Sequence, residues 1–243
     1  MKFPGTFRQP GFLDLLSDAA FQWRLSQAAE TYEENRHARA SIIASAFSLE
    51  SCANCLIDDL EVSSSLASEL ERLPTFAKYE IVAELLGKSN IFDRGRHEVQ
   101  IASDLIQVRN GFVHPKVASI KAEIGEIEEQ EEHFAWPIEF LPDLRSGTGL
   151  PRVALFWSST NAATAFRGAT RFFRLLLVDW FQFDTDKIRS LFFPRVQAEI
   201  GDSTVVMETY FKEFEDEFQS VADGGMDLSF LGINSSEKAN RKP

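Results

Sequence analysis

The sequence predicts an all-α protein: an antiparallel helical bundle carrying a small extended or hairpin insert and a C-terminal helical extension. Three observations predict it. Apolar residues recur at helical spacing through the first 115 residues, with proline confined to the ends of the predicted helices. Residues 122–140 then hold seven Glu and no Lys or Arg. A strong apolar stripe returns between Ala162 and Trp180.

In chain order, the first helix runs from Phe12 to about Glu34 on Phe12, Leu15, Leu16, Ala19 and Trp23. A second, from about Arg36 to Leu60, places Ile42, Ala46, Leu49, Ala53, Leu56 and Leu60 on one face. Beside that face runs a stripe of small residues, Ser41, Ala44, Ser45, Ser48, Cys52 and Cys55, which predicts close approach of another helix. Ser63–Ser65 reads as a connection. Pro74 suits the first turn of a third helix ending at Leu86 before Gly87, with Phe76, Tyr79, Val82, Ala83 and Leu86 inward. A fourth begins near Arg96, carries Val99, Ala102, Leu105, Ile106 and Phe112 inward, and must stop at Pro115.

Residues 117–152 change character. Ser119–Ile124 partly alternates and Phe134–Phe140 suits an extended chain, so the Glu-rich segment 123–139 reads as a hairpin or an irregular excursion. Pro142, Gly147, Gly149 and Pro151 mark a loop. Thr160 is a candidate cap for the next helix, whose apolar stripe faces away from Arg167, Arg171 and Arg174. Asp184 suits the cap of a short helix ending before Pro194. A last helix is expected over Thr204–Val221, burying Met207, Tyr210, Phe211, Phe214 and Phe218. The organisation expected is therefore a helical core over 1–116, an acidic insert over 117–152, C-terminal helices packing on the same core over 153–233, and a frayed tail over 234–243.

Length and composition bound the function. A chain of 243 residues that is 44% hydrophobic, with 22 Phe, builds a core and is not disordered. A formal net charge of −12 argues against coating nucleic acid through bulk positive charge. The charge is uneven, however. Gly87 to Lys121 holds six basic and three acidic residues, a local +3 that leaves −15 for the rest. No leader and no membrane span are expected, which suggests a cytoplasmic protein without a membrane partner. Cys52 and Cys55 form a CxxC in the middle of a helix with no second pair, so packing is expected rather than redox or metal chemistry. No metal site and no cofactor are expected.

The segment richest in chemistry is Arg109-Asn110-Gly111-Phe112-Val113-His114-Pro115-Lys116. Asn110 and His114 are four apart and share a helix face. An amide one turn below an imidazole is placed to fix its tautomer, and an adjacent guanidinium offers forked donors to a phosphate. Imidazole and guanidinium together supply a proton shuttle and a clamp for charge growing on phosphorus. The plainer alternative is that Arg109 and His114 only cap a helix end and pair with carboxylates.

Arg109-Asn110-x-x-x-His114 on the fourth helix resembles the signature of the HEPN superfamily, an Arg often followed by Asn and then, four to six residues on, His. The second-helix run Phe47–Ile57 is also similar to HEPN proteins, which place a polar residue there facing the site; Glu50 and Asn54 occupy such places. The resemblance covers roughly residues 12–116. It implies a dimeric, metal-independent ribonuclease, a hydrolase of the kind found in toxin–antitoxin and phage-defence systems. Arg109, Asn110 and His114 would be catalytic, with Glu50, Asn54, Lys116 and Arg96 on the RNA-binding surface. RNA, a second copy of the chain and an antitoxin or regulatory protein are the partners it implies. The pattern departs at Lys116, where toxins silenced by modification carry Tyr, so the resemblance does not extend to that regulation. A non-catalytic HEPN module that binds RNA, a nucleotide or a protein is the alternative within the family. A helical interaction protein with a chance motif is the alternative outside it.

Overall fold

Two helices packed along their small residues form the centre of the molecule. Strand β1 (Gly5–Arg8) leads into α1 (Gly11–Ala28), which lies against α2 (Thr31–Asp58), the longest helix. Ser41, Ser45, Ser48, Cys52 and Cys55 of the small stripe are buried, and the Ser41 hydroxyl donates to the Ala19 carbonyl at 2.7 Å. The first helix stops at Ala28 rather than Glu34. Beyond Ser26 the sequence offers no apolar residue at core spacing, and Ala29 turns extended at φ −97° and ψ 165°. By length and composition α2 could cross a membrane, yet 67% of its most apolar window is buried inside the molecule. The computed structural model describes residues 4–60, 62–88, 91–126, 128–130, 133–135, 137–200, 203–209 and 212–233. Glu131, Glu132, Tyr210, Phe211 and the tail 234–243, all with expectations above, lie outside the described residues.

The expected connection at Ser63–Ser65 contains a short helix, α3 (Ser64–Glu71), begun by Ser63, whose hydroxyl accepts the Leu66 N–H. Pro74 directly precedes α4 (Thr75–Leu85), and Gly87, at φ +69°, ends its last turn. Tyr79, Val82 and Ala83 point inward, whereas Leu86 is partly exposed because the helix has already ended there. Next comes α5 (His97–Val113), whose Val99, Ala102 and Leu105 are buried. Phe112, expected inside, is 48% exposed: the last turn of α5 runs beyond the body of the bundle.

The insert forms two antiparallel pairs, one inside the other. β2 (Lys121–Ile124) pairs with β5 (Ile138–Leu141), and β3 (Glu128–Gln130) with β4 (His133–Ala135). The loop after it is tied to α5 by Asp104, whose carboxylate accepts the N–H groups of Gly147 and Thr148 at 2.9 and 3.0 Å. Then α6 (Ser159–Arg174) is capped by Ser158, two residues before the expected Thr160. The Ser158 N–H donates to the Asn161 side chain at 3.0 Å, and the Ser159 N–H to Glu34 at 2.8 Å. That second bond holds the Glu34 carboxyl below its ordinary range.

α6 crosses α5 closely. A Cβ on Gly168 would lie 2.3 Å from Cγ2 of Ile101, so only glycine permits this approach. The helix continues as a π-helical stretch, Leu175–Trp180, before α7 (Thr185–Phe192), whose cap Asp184 accepts the Lys187 N–H at 2.7 Å. Phe12 meets Phe173 edge-on and Phe192 obliquely, joining the C-terminal helices to the same core.

The protein is thus mostly helical, with a small antiparallel sheet that the sequence did not lead us to expect. β1, β6 (Arg195–Ile200) and β7 (Ser203–Glu208) form it in the order β1-β6-β7. The expected helix from Thr204 is a correction. Residues 203–208 are strand, and α8 (Lys212–Asp223) starts later. Thr204, Val205 and Val206 are β-branched and favour a pleated surface. Met207, expected inside, is 53% exposed on this edge strand.

Candidate functional site

Three helices bring their polar side chains together near the C-terminal end of α5. On α2, Phe47, Glu50 and Asn54 lie at i, i+3 and i+7, hence on one face. α5 packs across that face and presents Arg109 to it. The guanidinium ion-pairs with Glu50 through one terminal nitrogen and donates to Oδ1 of Asn110 at 2.8 Å through the other. It also sits 5.5 Å from the Phe47 ring centroid. Arg109 is thereby fixed from three directions on the rim, with a fifth of its side chain, 21%, open to solvent.

The third helix supplies a residue that sequence reasoning missed. Lys78 of α4 is 1% exposed; its Nζ donates to Oδ1 of Asn54 at 2.7 Å and lies 3.6 Å from Glu50. Burial pulls its pKa below the ordinary lysine value, opposed by the charge of Glu71. The available signal was the unpaired demand of Glu50 and Asn54. A carboxylate and an amide flanked by Phe47 and Ile57 call for a partner on the neighbouring helix. One carboxylate here serves two cations, so Glu50, Lys78 and Arg109 together carry a formal +1.

Asn110 and His114 do not form the expected side-chain pair among the described contacts. Asn110 gives its carbonyl oxygen to Arg109. His114 is the residue just past α5, at φ −119° and ψ 69°, and its backbone N–H donates to the Asn110 carbonyl at 3.0 Å. The chain leaves helical geometry there because Pro115 follows. The imidazole is consequently carried off the shared helix face and is exposed. Asn110 therefore positions Arg109 rather than His114.

Of the remaining expected site residues, Lys116 is exposed just beyond His114 and, with Phe112, lines a cavity of about 420 Å³. Arg145, Arg152 and Trp157 border the same cavity, so cationic and aromatic groups converge beside the motif. Asn54 is exposed but bonded to Lys78. Arg96 is not part of this constellation. It is the residue before α5, thirteen residues and about 20 Å from Arg109 along the helix.

Cys52 and Cys55 are both free and buried. Burial pushes Cys52 well above the usual thiol value and Cys55 up to about 11, so neither is a reactive thiolate near neutral pH. Among the described residues, no group of three or more His, Cys, Asp or Glu is arranged to hold a metal ion. No protein-family model, no curated protein and no solved structure matches this chain.

Proposed function

We propose that the chain is a HEPN-type endoribonuclease that cleaves RNA without a metal at a site shared by two copies. The observation that carries the reading is the anchoring of Arg109. The guanidinium of Arg109, five residues before His114 in the sequence, is held on the rim by Glu50, Asn110 and Phe47. Its rotamer is set before any ligand arrives, the condition under which a charge clamp is most effective. Lys78 stands behind Glu50 as a second cation on that carboxylate, which leaves Glu50 shared rather than neutralising Arg109 alone.

In this reading His114 takes the proton from a ribose 2′-hydroxyl, and the oxygen attacks the adjacent phosphorus. The His114 of the other copy protonates the departing 5′-oxygen. Arg109 stabilises the charge on the phosphorane. The products are a 2′,3′-cyclic phosphate and a 5′-hydroxyl, and the need for a 2′-hydroxyl restricts the chemistry to RNA. Phe112 and Val113, exposed next to His114, suit the seam with a second copy. A toxin or phage-defence effector in the cytoplasm, held in check by an antitoxin or regulatory protein, is the setting that fits such an activity.

The test is incubation of the purified chain with RNA in excess chelator. Cleavage that persists and is lost in His114→Ala supports the proposal; equal cleavage by the variant overturns it. The alternative, a non-catalytic module that binds RNA, a nucleotide or a protein, is favoured by the full engagement of Arg109 in this conformation. It predicts binding that needs Arg109 and no turnover.

A further inference from the structure

At the opposite end of α5 from the motif, two contiguous cavities of about 320 and 340 Å³ lie between the start of that helix and α6. Their common wall is made by Arg167 and Arg171. Arg96 and Arg174 border the first cavity and His97 the second.

The four arginines are not equivalent. Arg174 is paired with Asp227 at 3.3 Å and Arg96 with Glu98 at 3.7 Å. Arg167 and Arg171 have no ion-pair partner among the described residues, although they stand about one helical turn apart and line both cavities. Two like charges four residues apart on a helix repel each other, and in a chain of net charge −12 carboxylates are plentiful. Both arginines are exposed, so this repulsion is modest, and a bound anion relieves it. Arg96 and Arg174 are already paired with carboxylates, and Asp179 on the π-helical stretch also lines the first cavity. Such π-helical irregularities recur at ligand sites. The start of α5 adds its positive dipole end beside His97.

We propose that this recess binds a small diphosphate-bearing ligand, such as a nucleoside diphosphate, with one phosphate on each of Arg167 and Arg171. Two adjacent guanidiniums match two linked phosphates better than a single anion. A single-stranded RNA track is disfavoured because, among the described residues, no Phe, Tyr or Trp lines either cavity for base stacking, and because Glu98, Asp179 and Asp227 line the first. The site is remote from Arg109 and does not depend on the ribonuclease reading.

The experiment is calorimetric titration of the full chain with inorganic pyrophosphate, adenosine 5′-diphosphate and a short single-stranded oligoribonucleotide, in magnesium-free buffer. The expected result is saturable binding of the first two. Arg167→Gln and Arg171→Gln each weaken it roughly tenfold or more, while Arg72→Gln, an exposed position at the end of α3 that lines neither cavity, leaves it unchanged. Both substituted side chains are exposed, so unaltered circular dichroism is expected to confirm folding. Absence of saturable binding, equal binding by the two variants, or binding of the oligoribonucleotide without pyrophosphate overturns the proposal.

Discussion

Glu50 of α2 holds Arg109 of α5 in an ion pair while also standing 3.6 Å from the buried Nζ of Lys78 on α4, so one carboxylate ties three helices together. Substituting Glu50→Gln leaves two cations facing each other, one of them almost fully enclosed. The expected cost is about 1–3 kcal/mol, below that of a fully buried pair because Arg109 and Glu50 are partly solvated. Lys78→Met removes one of the two cations and keeps the Glu50–Arg109 pair, so it is expected to cost less. Urea unfolding of the two variants checks the order.

The crossing of α5 and α6 depends on Gly168. Alanine there would favour the helix by about 1 kcal/mol in propensity but drives a methyl into Ile101, and overpacking typically costs 1–3 kcal/mol. Gly168→Ala is therefore expected to lower stability, and Ile101→Ala in the same chain to restore part of the loss. A double-mutant cycle by thermal unfolding measures that coupling.

Stability is expected to fall at alkaline pH. Cys52, Cys55 and Tyr79 all have raised values in the folded state, so the unfolded chain loses these protons first. The folded state then binds more protons, and the slope of stability against pH is negative. For Cys55 the window runs from the ordinary 9.0 to about 11, a loss of roughly 2–3 kcal/mol across it. Lys78, whose value is lowered, works the other way as it deprotonates, and softens the decline. Denaturation at pH 8 and pH 10.5 is expected to show a shallower loss for Cys55→Ala than for the parent.

Phe112 is half-exposed two residues before His114, and in the proposed two-copy site a second chain would cover it. Phe112→Glu is expected to weaken self-association roughly tenfold or more and to lower cleavage with it. Sedimentation equilibrium, run alongside unfolding to show an intact fold, measures the first effect.

How far the sequence disclosed this structure follows from where periodicity is strong. The faces of α2, α5 and α6 are read directly from their apolar spacing, and the motif on α5 from three residues. The sheet was missed because the 195–208 segment is half-exposed, so its alternation is blurred, while Met207, Phe211, Phe214 and Phe218 imitate helical spacing. The turn between α1 and α2 was missed because alanine and glutamate there are good helix formers, and only the lack of core contacts ends the helix. At the site, Glu50 and Asn54 were legible as polar residues on an apolar face. Lys78 was not, since its role arises from which helix lies opposite. The loss of the Asn110–His114 pair comes from Pro115, whose effect falls on the one residue the spacing had placed on the helix.

The central claim is that His114 and Arg109 cut RNA by attack of its own 2′-hydroxyl. Mass spectrometry of fragment ends, after incubation of the chain in chelator with an RNA and its fully 2′-O-methylated counterpart, tests it most directly. The account predicts 2′,3′-cyclic phosphate ends from the first and no cleavage of the second. Cleavage of both strands, or fragments ending in a 3′-hydroxyl, would contradict it.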